Sequence, residues 1–239
     1  MTLIVALKCK NGVILASDGQ ATGISSGGPI KQKCKKIFEL PGKVLMAASG
    51  TIGVIQTCKE SIATYSQDIS NYGLNHIVEE RKGEKVEDVT ERHEAFYGDE
   101  RGAPLADIII VFYDSSQCKF RIWHVAPDGG DEFLDELGYG CSGIGDTFGY
   151  AFLKNFYSED LDVKIGALVA YRVIKEAIEI GAYGLGEPID IWLMEIGGEG
   201  NIKIKQFSPE ELSALSDTCS MWVEAEREVF RRNIKGESP

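Results

Sequence analysis

The sequence predicts one α/β domain in which helices lie outside paired sheets. Three observations predict this fold class: short segments with strand periodicity flank tight-turn residues, longer segments have helical periodicity, and no linker or repeat divides the 239 residues. The predicted order is strands, helices, strands, helix, strands and helix. We therefore expect a single domain over residues 1–239, with an extended C-terminal helix from about residue 209.

The N-terminal segment predicts two β-hairpins. LIVALKC and GVILASD alternate apolar residues with small or polar ones on either side of Asn11-Gly12, a dipeptide typical of tight turns. KKIFEL and KVLMAAS flank Pro41-Gly42, which indicates a second hairpin. A strand that starts at residue 2 is unusual, because chain termini normally fray. We therefore expect a specific interaction to hold Thr2 in the sheet.

The central part of the chain predicts a helix and a buried strand pair. From Thr51 the apolar residues follow a helical period, which predicts a helix that ends near Gly73. ADIIIVFYD is a nearly continuous apolar run, so we expect a strand that is buried on both faces, followed by a strand at KFRIWHVAP. Residues 79–101 are mostly charged with interleaved signs, which predicts an exposed helix or loop.

The C-terminal part predicts three helices and two strands. One helix is expected after the start of CSGIGDTFGYAFLKNFY, and another runs from an N-cap at Asp162 to Gly181. PIDIWLMEI and NIKIKQF are expected to form a closing pair of strands. The last helix then begins with Ser208 as its cap and Pro209 in the first helical position, where proline is favoured.

Composition limits the classes of partner and cofactor. The net charge of −12 argues against nucleic acids and anionic membranes, because both would be repelled. No apolar run reaches the roughly 18 residues of a membrane span and no signal peptide is visible, so we expect a cytoplasmic protein. The cysteines show no CxxC pair and no Cys/His metal-ligand spacing, so no metal is expected, and the chemistry of the hypothesis given below needs no cofactor. Each histidine, including His124, is expected to be structural or exposed.

Thr2 offers chemistry that needs no histidine. Removal of Met1, which is routine before a small second residue, would leave Thr2 with a hydroxyl and a free α-amine. An α-amine has a pKa of about 7.7 to 8, close to the value that suits a general base near neutral pH. One residue would then supply the nucleophile and its base, whereas a retained Met1 would turn the amine into an amide.

Seven segments along the chain carry a family resemblance: TLIVALKCKNGVILASDGQAT, KCKKIFEL, MAASGTIG, ADIIIVFYD, HVAPDGG, CSGIGDTFGYAFL and AYRVIKEAIEIGAYGLGEPIDI. In this order and spacing they resemble the proteasome β-subunit family and its HslV-like relatives, which are N-terminal threonine hydrolases. The pentapeptide DGQAT is especially similar to the HslV branch. The resemblance extends to about residue 205 and implies a four-layer αββα sandwich.

The resemblance also implies roles for five residues. Thr2 matches the nucleophile, Lys36 matches the catalytic lysine, and Asp18 matches the acid that orients this lysine. Gly50 matches the residue whose backbone N–H forms the oxyanion hole, and Ser142 matches a serine that hydrogen-bonds near the terminal amine. A cation beside the α-amine would disfavour its protonated form and keep the base ready. On position alone, Asp18 and Lys36 fit a structural ion pair at a strand end equally well.

Two positions depart from the family pattern. Most proteasome β-subunits carry an Asp and, three residues later, a Ser that support the nucleophile, and the matching positions here are Gly181 and Gly184. Neither glycine has a side chain that could donate a hydrogen bond or carry a charge. The HslV branch also lacks this Asp, so its absence alone does not exclude activity.

The resulting hypothesis is a threonine peptidase that cuts peptide bonds by acyl transfer to Thr2 and then to water. The resemblance implies self-association into rings, unfolded protein or peptide substrates, and a separate ATP-driven unfoldase as partner. Two alternatives stay open. One is a catalytically silent ring or scaffold subunit, which the two glycines favour. The other is a peptide transferase or ligase on the same fold, in which an amine resolves the acyl-enzyme.

Overall fold

Two five-stranded sheets pack face to face and carry helices on their outer faces. The structure is a computed structural model that describes residues 2–25, 28–72, 106–127, 130–181 and 184–235. Met1, whose removal the peptidase hypothesis requires, and the charged stretch 79–101 lie outside the described residues. The helix–sheet–sheet–helix order is the expected four-layer αββα sandwich, so the predicted fold class is confirmed.

The first sheet contains the N-terminal hairpin and the closing strand pair. Its strands are β1 (Ile4–Cys9), β2 (Gly12–Ser17), β10 (Tyr139–Ser142), β11 (Asp190–Ile196) and β12 (Ile202–Gln206). They lie in the order β10-β1-β2-β11-β12, and all neighbours are antiparallel. The predicted hairpin is present, but Cys9 pairs with Gly12, so its turn is Lys10-Asn11, one residue earlier than expected.

The second sheet contains the second predicted hairpin. Its strands are β5 (Ile37–Leu40), β6 (Val44–Gly50), β7 (Ala106–Asp114), β8 (Lys119–Val125) and β9 (Asp131–Phe133), which lie in chain order and are antiparallel. A separate two-stranded ribbon of β3 (Gln20–Ser25) and β4 (Gly28–Lys33) joins the two sheets along the chain. Neither this ribbon nor the short strands β9 and β10 are predicted by the sequence pattern.

The described residues contain the four predicted helices. They are α1 (Ile52–Tyr72), α2 (Asp146–Phe156), α3 (Val163–Glu179) and α4 (Pro209–Lys235). Asp162 caps α3 by accepting the N–H of Lys164 at 2.8 Å. Ser208 caps α4 through a reciprocal pair, in which its hydroxyl accepts the N–H of Glu211 at 3.3 Å and the Glu211 carboxylate accepts the N–H of Ser208 at 3.0 Å. None of these helices is both long and apolar enough to cross a membrane.

Strand β7 shows how the core is divided into layers. Ile109 and Val111 belong to the apolar layer between the two sheets, while Ile108 and Ile110 pack beneath α1. The predicted burial of this strand on both faces is therefore confirmed. Complete burial of such a side chain contributes about 1.5 to 3 kcal/mol. The strand is consequently a rigid base for residues at its ends.

One arginine holds α4 against α3. Arg172 is 5% exposed, and its guanidinium donates to both carboxylate oxygens of Glu226, at 2.8 and 2.6 Å. Its Nε donates to Glu176 at 2.7 Å, and its Cζ lies 4.0 Å from the ring centroid of Trp222. This planar, bidentate arrangement is one that a lysine could not reproduce. It fixes the long C-terminal helix to the body of the fold.

We expect Glu226→Gln to lower the free energy of unfolding by about 1 kcal/mol at neutral pH, because the pair is bidentate although partly exposed. Hydrogen bonds from Arg172 lower the pKa of Glu226, and burial opposes this effect. The stabilisation is therefore present above 4.5, the ordinary pKa of glutamate, and is lost as the pH falls through the lowered value. Urea unfolding at neutral and acid pH measures the difference.

The matched control is Glu228→Gln, because Glu228 lies on the same helix but pairs with exposed arginines of α4 itself. Its effect should stay within a few tenths of a kcal/mol. An equal loss in both variants would mean that the contact between α3 and α4 contributes nothing specific.

Candidate active site

The predicted site residues meet at one end of both sheets. The antiparallel pairing of β1 with β2 places the start of β1 beside the end of β2, so Thr2 and Asp18 are neighbours. Ser142 ends β10 at the same end of this sheet. In the second sheet, Lys36 precedes β5 and Gly50 ends β6, again at one end. Residues that are far apart in sequence are therefore close together in space.

Asp18 holds both Lys36 and the backbone next to Thr2. Asp18 is 0% exposed and Lys36 is 5% exposed. Oδ1 of Asp18 accepts a hydrogen bond from the Lys36 ammonium at 2.5 Å and from the N–H of Leu3 at 3.0 Å. The first strand begins at Ile4 rather than at residue 2, so Thr2 lies just before the sheet, and the bond from Leu3 holds the backbone next to it.

The second oxygen of Asp18 is also satisfied. Oδ2 accepts the N–H groups of Gln20 and Gly186, both at 3.2 Å. These bonds satisfy the oxygen that the Lys36 ammonium does not reach, as a buried ion pair requires. Burial lowers the pKa of Lys36, and the carboxylate of Asp18 opposes this shift.

A glycine turn supports Thr2 from the other side. Thr2 is 7% exposed, and its carbonyl accepts the N–H of Gly145 at 3.4 Å. Gly143 has a φ of +93°, and a Cβ at this position would lie 2.3 Å from the Thr2 carbonyl oxygen. Only glycine fits this turn, because any side chain would push Thr2 away.

A pocket of about 260 Å³ opens beside Thr2. Thr2, Lys36 and Gly50 all line it. Gly50 has a φ of +126°, a backbone conformation that other residues rarely adopt. The hydroxyl of Thr22, which also lines the pocket, is buried and has no hydrogen-bond partner among the described residues.

The wall of this pocket is cationic. Lys35 and Lys59 line it together with Lys36, and the described lining residues include no carboxylate. The Lys59 ammonium lies 4.9 Å from the ring centroid of Phe38, which lines the same pocket. This charge contrasts with the net charge of −12 and favours an acidic group on a ligand. The described part of the chain contains no group of three or more His, Cys, Asp or Glu placed to hold a metal ion.

Ser142 is hydrogen-bonded to a group of polar residues that the sequence pattern does not predict. Its hydroxyl donates to Oδ2 of Asp107 at 2.8 Å and lies 3.1 Å from the hydroxyl of Ser49. Oδ1 of Asp107 lies 2.6 Å from Nε2 of His124. The available signal was a carboxylate near the start of the otherwise apolar run ADIIIVFYD.

Gly181 and Gly184, which depart from the family pattern, contribute no side chain to the site, and Gly184 contributes a backbone carbonyl. The carbonyl of Gly184 accepts a hydrogen bond from Nε2 of Gln20 at 2.5 Å. Gly181 is exposed, with a φ of +69°, and a Cβ there would have no neighbour within 4 Å. Support for Thr2 from a side chain at position 181 is therefore absent.

Most of the chain matches one protein-family model. Residues 2–192 match the model of the proteasome subunit. The chain belongs to the proteasome subunit family. It is 26% identical over 186 residues to proteasome subunit beta of Methanococcus maripaludis strain C7, which covers 76% of this chain and 78% of the relative. It is 28% identical over 203 residues to proteasome subunit beta 2 of Nitrosopumilus maritimus, which covers 82% and 87%. The resemblance seen in the sequence is confirmed.

Solved structures agree with this proteasome family fold. Anbu, an ancestral beta-subunit from Yersinia bercovieri, aligns with a TM-score of 0.71 over 96% of this chain and 97% of that chain, at 15% identity. The Anbu (Gly-1) mutant from Hyphomicrobium sp. strain MC1 aligns with a TM-score of 0.70 over 97% of both chains, also at 15% identity. At this identity the likeness shows the fold alone.

We expect Lys36→Met to lower the free energy of unfolding by about 3 kcal/mol, because it leaves the buried Asp18 carboxylate without its cation. The loss should be at the lower end of the usual range, since three backbone N–H groups still donate to Asp18. Urea unfolding measures the change, and the Asp18→Asn/Lys36→Met double variant should recover part of it.

The matched control for this ion pair is Lys35→Met. Lys35 is the adjacent lysine, but it is exposed and lies over the Trp192 ring. Its substitution should change stability by about 0.5 kcal/mol or less. Equal losses at positions 35 and 36 would show that the buried ion pair does not stabilise the fold.

Proposed function

We propose that this proteasome-family protein is an N-terminal threonine peptidase, with Thr2 as nucleophile after removal of Met1. One observation carries the proposal: Thr2, Lys36 and Gly50 surround one pocket, and the Asp18 carboxylate is bonded to the Lys36 ammonium. Nucleophile, cation and a glycine backbone are the groups that acyl transfer needs in one place.

In the proposed first step, the Thr2 hydroxyl attacks the substrate carbonyl while its proton passes to the Thr2 α-amine. The carbonyl electron pair moves to oxygen, and the N–H of Gly50 stabilises the resulting oxyanion. Lys36, held by Asp18, disfavours protonation of the amine before attack. Collapse of the intermediate breaks the C–N bond, and the amine returns the proton to the leaving nitrogen.

The second step restores the enzyme. Water attacks the ester on Thr2 with the α-amine as base, the acid product leaves, and the hydroxyl regains its proton. The chemistry uses no cofactor. With Met1 retained, the nitrogen is an amide and neither step has a base.

The substrate class and assembly state belong to the same proposal. A pocket of about 260 Å³ has room for one side chain of an extended peptide rather than for a folded domain, which supports unfolded protein or peptide substrates. Membership of the proteasome subunit family supports self-association into rings in the cytoplasm. Such rings would depend on a separate ATP-driven unfoldase for folded substrates.

One observation favours a second candidate, a catalytically silent ring subunit. Position 181, where most β-subunits carry a supporting acid, is an exposed glycine, and an added Cβ there would have no neighbour within 4 Å among the described residues. A silent subunit would keep the ion pair between Asp18 and Lys36 for stability alone.

Intact mass measurement with a peptide epoxyketone tests the peptidase. We expect a chain that is one methionine lighter and gains the mass of the inhibitor, because this reagent requires both a free α-amine and the Thr2 hydroxyl. Thr2→Ala should lose the adduct, whereas Thr147→Ala, an exposed threonine on α2, should keep it.

Other outcomes of this measurement identify the alternatives. A full-length mass without an adduct would overturn the peptidase and support the silent subunit. Replacing the inhibitor by a peptide substrate in the same mass measurement tests the transferase or ligase, whose acyl-enzyme on Thr2 would turn over only when a peptide amine is added.

The cationic pocket predicts a preference among substrates. Peptides with Glu before the cleaved bond should react faster than matched Gln peptides, and Lys59→Gln should reduce this ratio about fivefold, the equivalent of about 1 kcal/mol for a half-exposed ion pair. Rates of fluorogenic peptide cleavage provide the ratio. Lys154→Gln, at an exposed site on α2, is the control, and an unchanged ratio in Lys59→Gln would exclude this role of the pocket.

A further inference from the structure

A chain of hydrogen bonds joins the two sheets beside Thr2. Ser49 and Asp107 are directly paired on β6 and β7, and His124 comes from β8. Ser142 comes from β10 of the other sheet. The side chains of Asp107 and His124 are only 19% and 18% exposed. Four polar side chains are thus grouped at the edge of an apolar layer, where each needs a partner.

The order of this chain excludes a serine–histidine nucleophile. Ser142 donates to Asp107 rather than to His124, and the carboxylate lies between them. His124 therefore cannot take the proton of Ser142. The role of the cluster has to be structural or positional.

Asp107 determines which groups donate. A carboxylate only accepts, so Ser142 gives its single O–H to Asp107. Ser49, 3.1 Å away, must then donate to Ser142. The oxygen of Ser142 keeps one further lone pair, which can only accept a hydrogen bond. A free Ser142 hydroxyl could either donate or accept a hydrogen bond. With its proton donated to Asp107, it can only accept one from any further group.

Asp107 also holds the turn that contacts Thr2. The N–H of Gly143 donates to Oδ2 of Asp107 at 3.4 Å, and Gly143 is so close to Thr2 that an added Cβ would lie 2.3 Å from the Thr2 carbonyl oxygen. His124 fixes the other oxygen of Asp107. Displacement of Asp107 would therefore be transmitted to Thr2 through one turn.

We propose that Asp107 is a positioning residue for Thr2, which fixes Ser142 as a hydrogen-bond acceptor for the α-amine and holds the turn at Gly143 in place. Asp107, on β7, provides a carboxylate near Thr2, which Gly181 cannot provide because it has no side chain. The role rests on the proposed function, in which the α-amine of Thr2 is the base.

The electrostatics of the cluster agree with this role. Burial raises the pKa of Asp107, but hydrogen bonds from His124 and Ser142 outweigh it and hold the pKa below its ordinary value. The described residues that face His124 are Asp107 from β7 and Glu132 from β9, at 2.6 and 3.7 Å, and their effect outweighs burial and raises its pKa. The pair is fully charged between the ordinary values of 3.8 and 6.5, and it weakens as the pH rises through the raised pKa of His124.

Asp107→Ala in the processed protein tests the proposal through two readouts. Without the carboxylate, Ser142 can donate its proton to the neutral amine, so the pKa of the α-amine should fall and its lone pair should become a poorer base. We expect epoxyketone labelling to slow about tenfold. The second readout is chemical acylation of the Thr2 α-amine at a series of pH values, measured on the N-terminal peptide after digestion. Its pH dependence gives the pKa of the amine and needs no peptidase activity. Asp114→Ala, at the other end of β7, is the matched control.

Each outcome decides a different point. A lower amine pKa with slower labelling, relative to Asp114→Ala, supports the positioning role. If the wild type is labelled and both variants behave alike, the role of Asp107 is overturned while the peptidase stands. If the wild-type chain has a free amine but is not labelled, the proposed peptidase function is overturned. The pKa of the amine in Asp107→Ala then tests the role of Asp107 by itself. Asp107→Asn keeps the shape and removes the charge, so it carries the test if the alanine variant does not fold, with a smaller shift in the same direction.

Discussion

The buried ion pair between Asp18 and Lys36 is the interaction on which the arrangement of this protein depends. Asp18 directly follows β2 of the first sheet, and Lys36 directly precedes β5 of the second. Their contact joins the sheets at the edge where Thr2 lies. Removing two charges from water is costly, and this cost is offset only when the remaining hydrogen bonds are made. The three backbone N–H groups on Asp18 meet this condition.

Around this pair, the site is built mainly from backbone. Leu3, Gln20 and Gly186 contribute N–H groups to Asp18, and Gly143 and Gly50 bring main chain close to Thr2 and its pocket. Backbone groups have few alternative conformations once the strands are paired. The geometry around Thr2 therefore depends on main-chain groups at the strand ends and in the turns at Gly143 and Gly186.

Local signals in the sequence were sufficient for much of the fold. Asp162 and Ser208 cap their helices as predicted, because capping is decided within four residues. Strands of three or four residues, such as β9 and β10, are too short to show a period. The hairpin turn moved by one residue because Gly12 takes part in the pairing, which residue type alone does not reveal.

The site residues that belong to a family motif could be predicted from the sequence. Those that meet only through contacts between the two sheets could not. The five matched residues gather at one end of the fold, although their catalytic roles stay predictions. Asp107 and His124 belong to no local pattern, and they meet Ser142 only because strands of different sheets end side by side. No spacing in the sequence encodes such a meeting.

The turn between β7 and β8 lies at the end of the second sheet opposite Thr2, and it carries Cys118, the exposed cysteine among the six. The thiolate is the reactive form, and burial raises the pKa of Cys9 to about 12, which protects such buried thiols. A maleimide dye should therefore attach first at Cys118, about 20 Å along β7 from Asp107. Such a probe could follow assembly or the arrival of substrate with the N-terminus untouched, which no amine-reactive dye or N-terminal affinity tag allows.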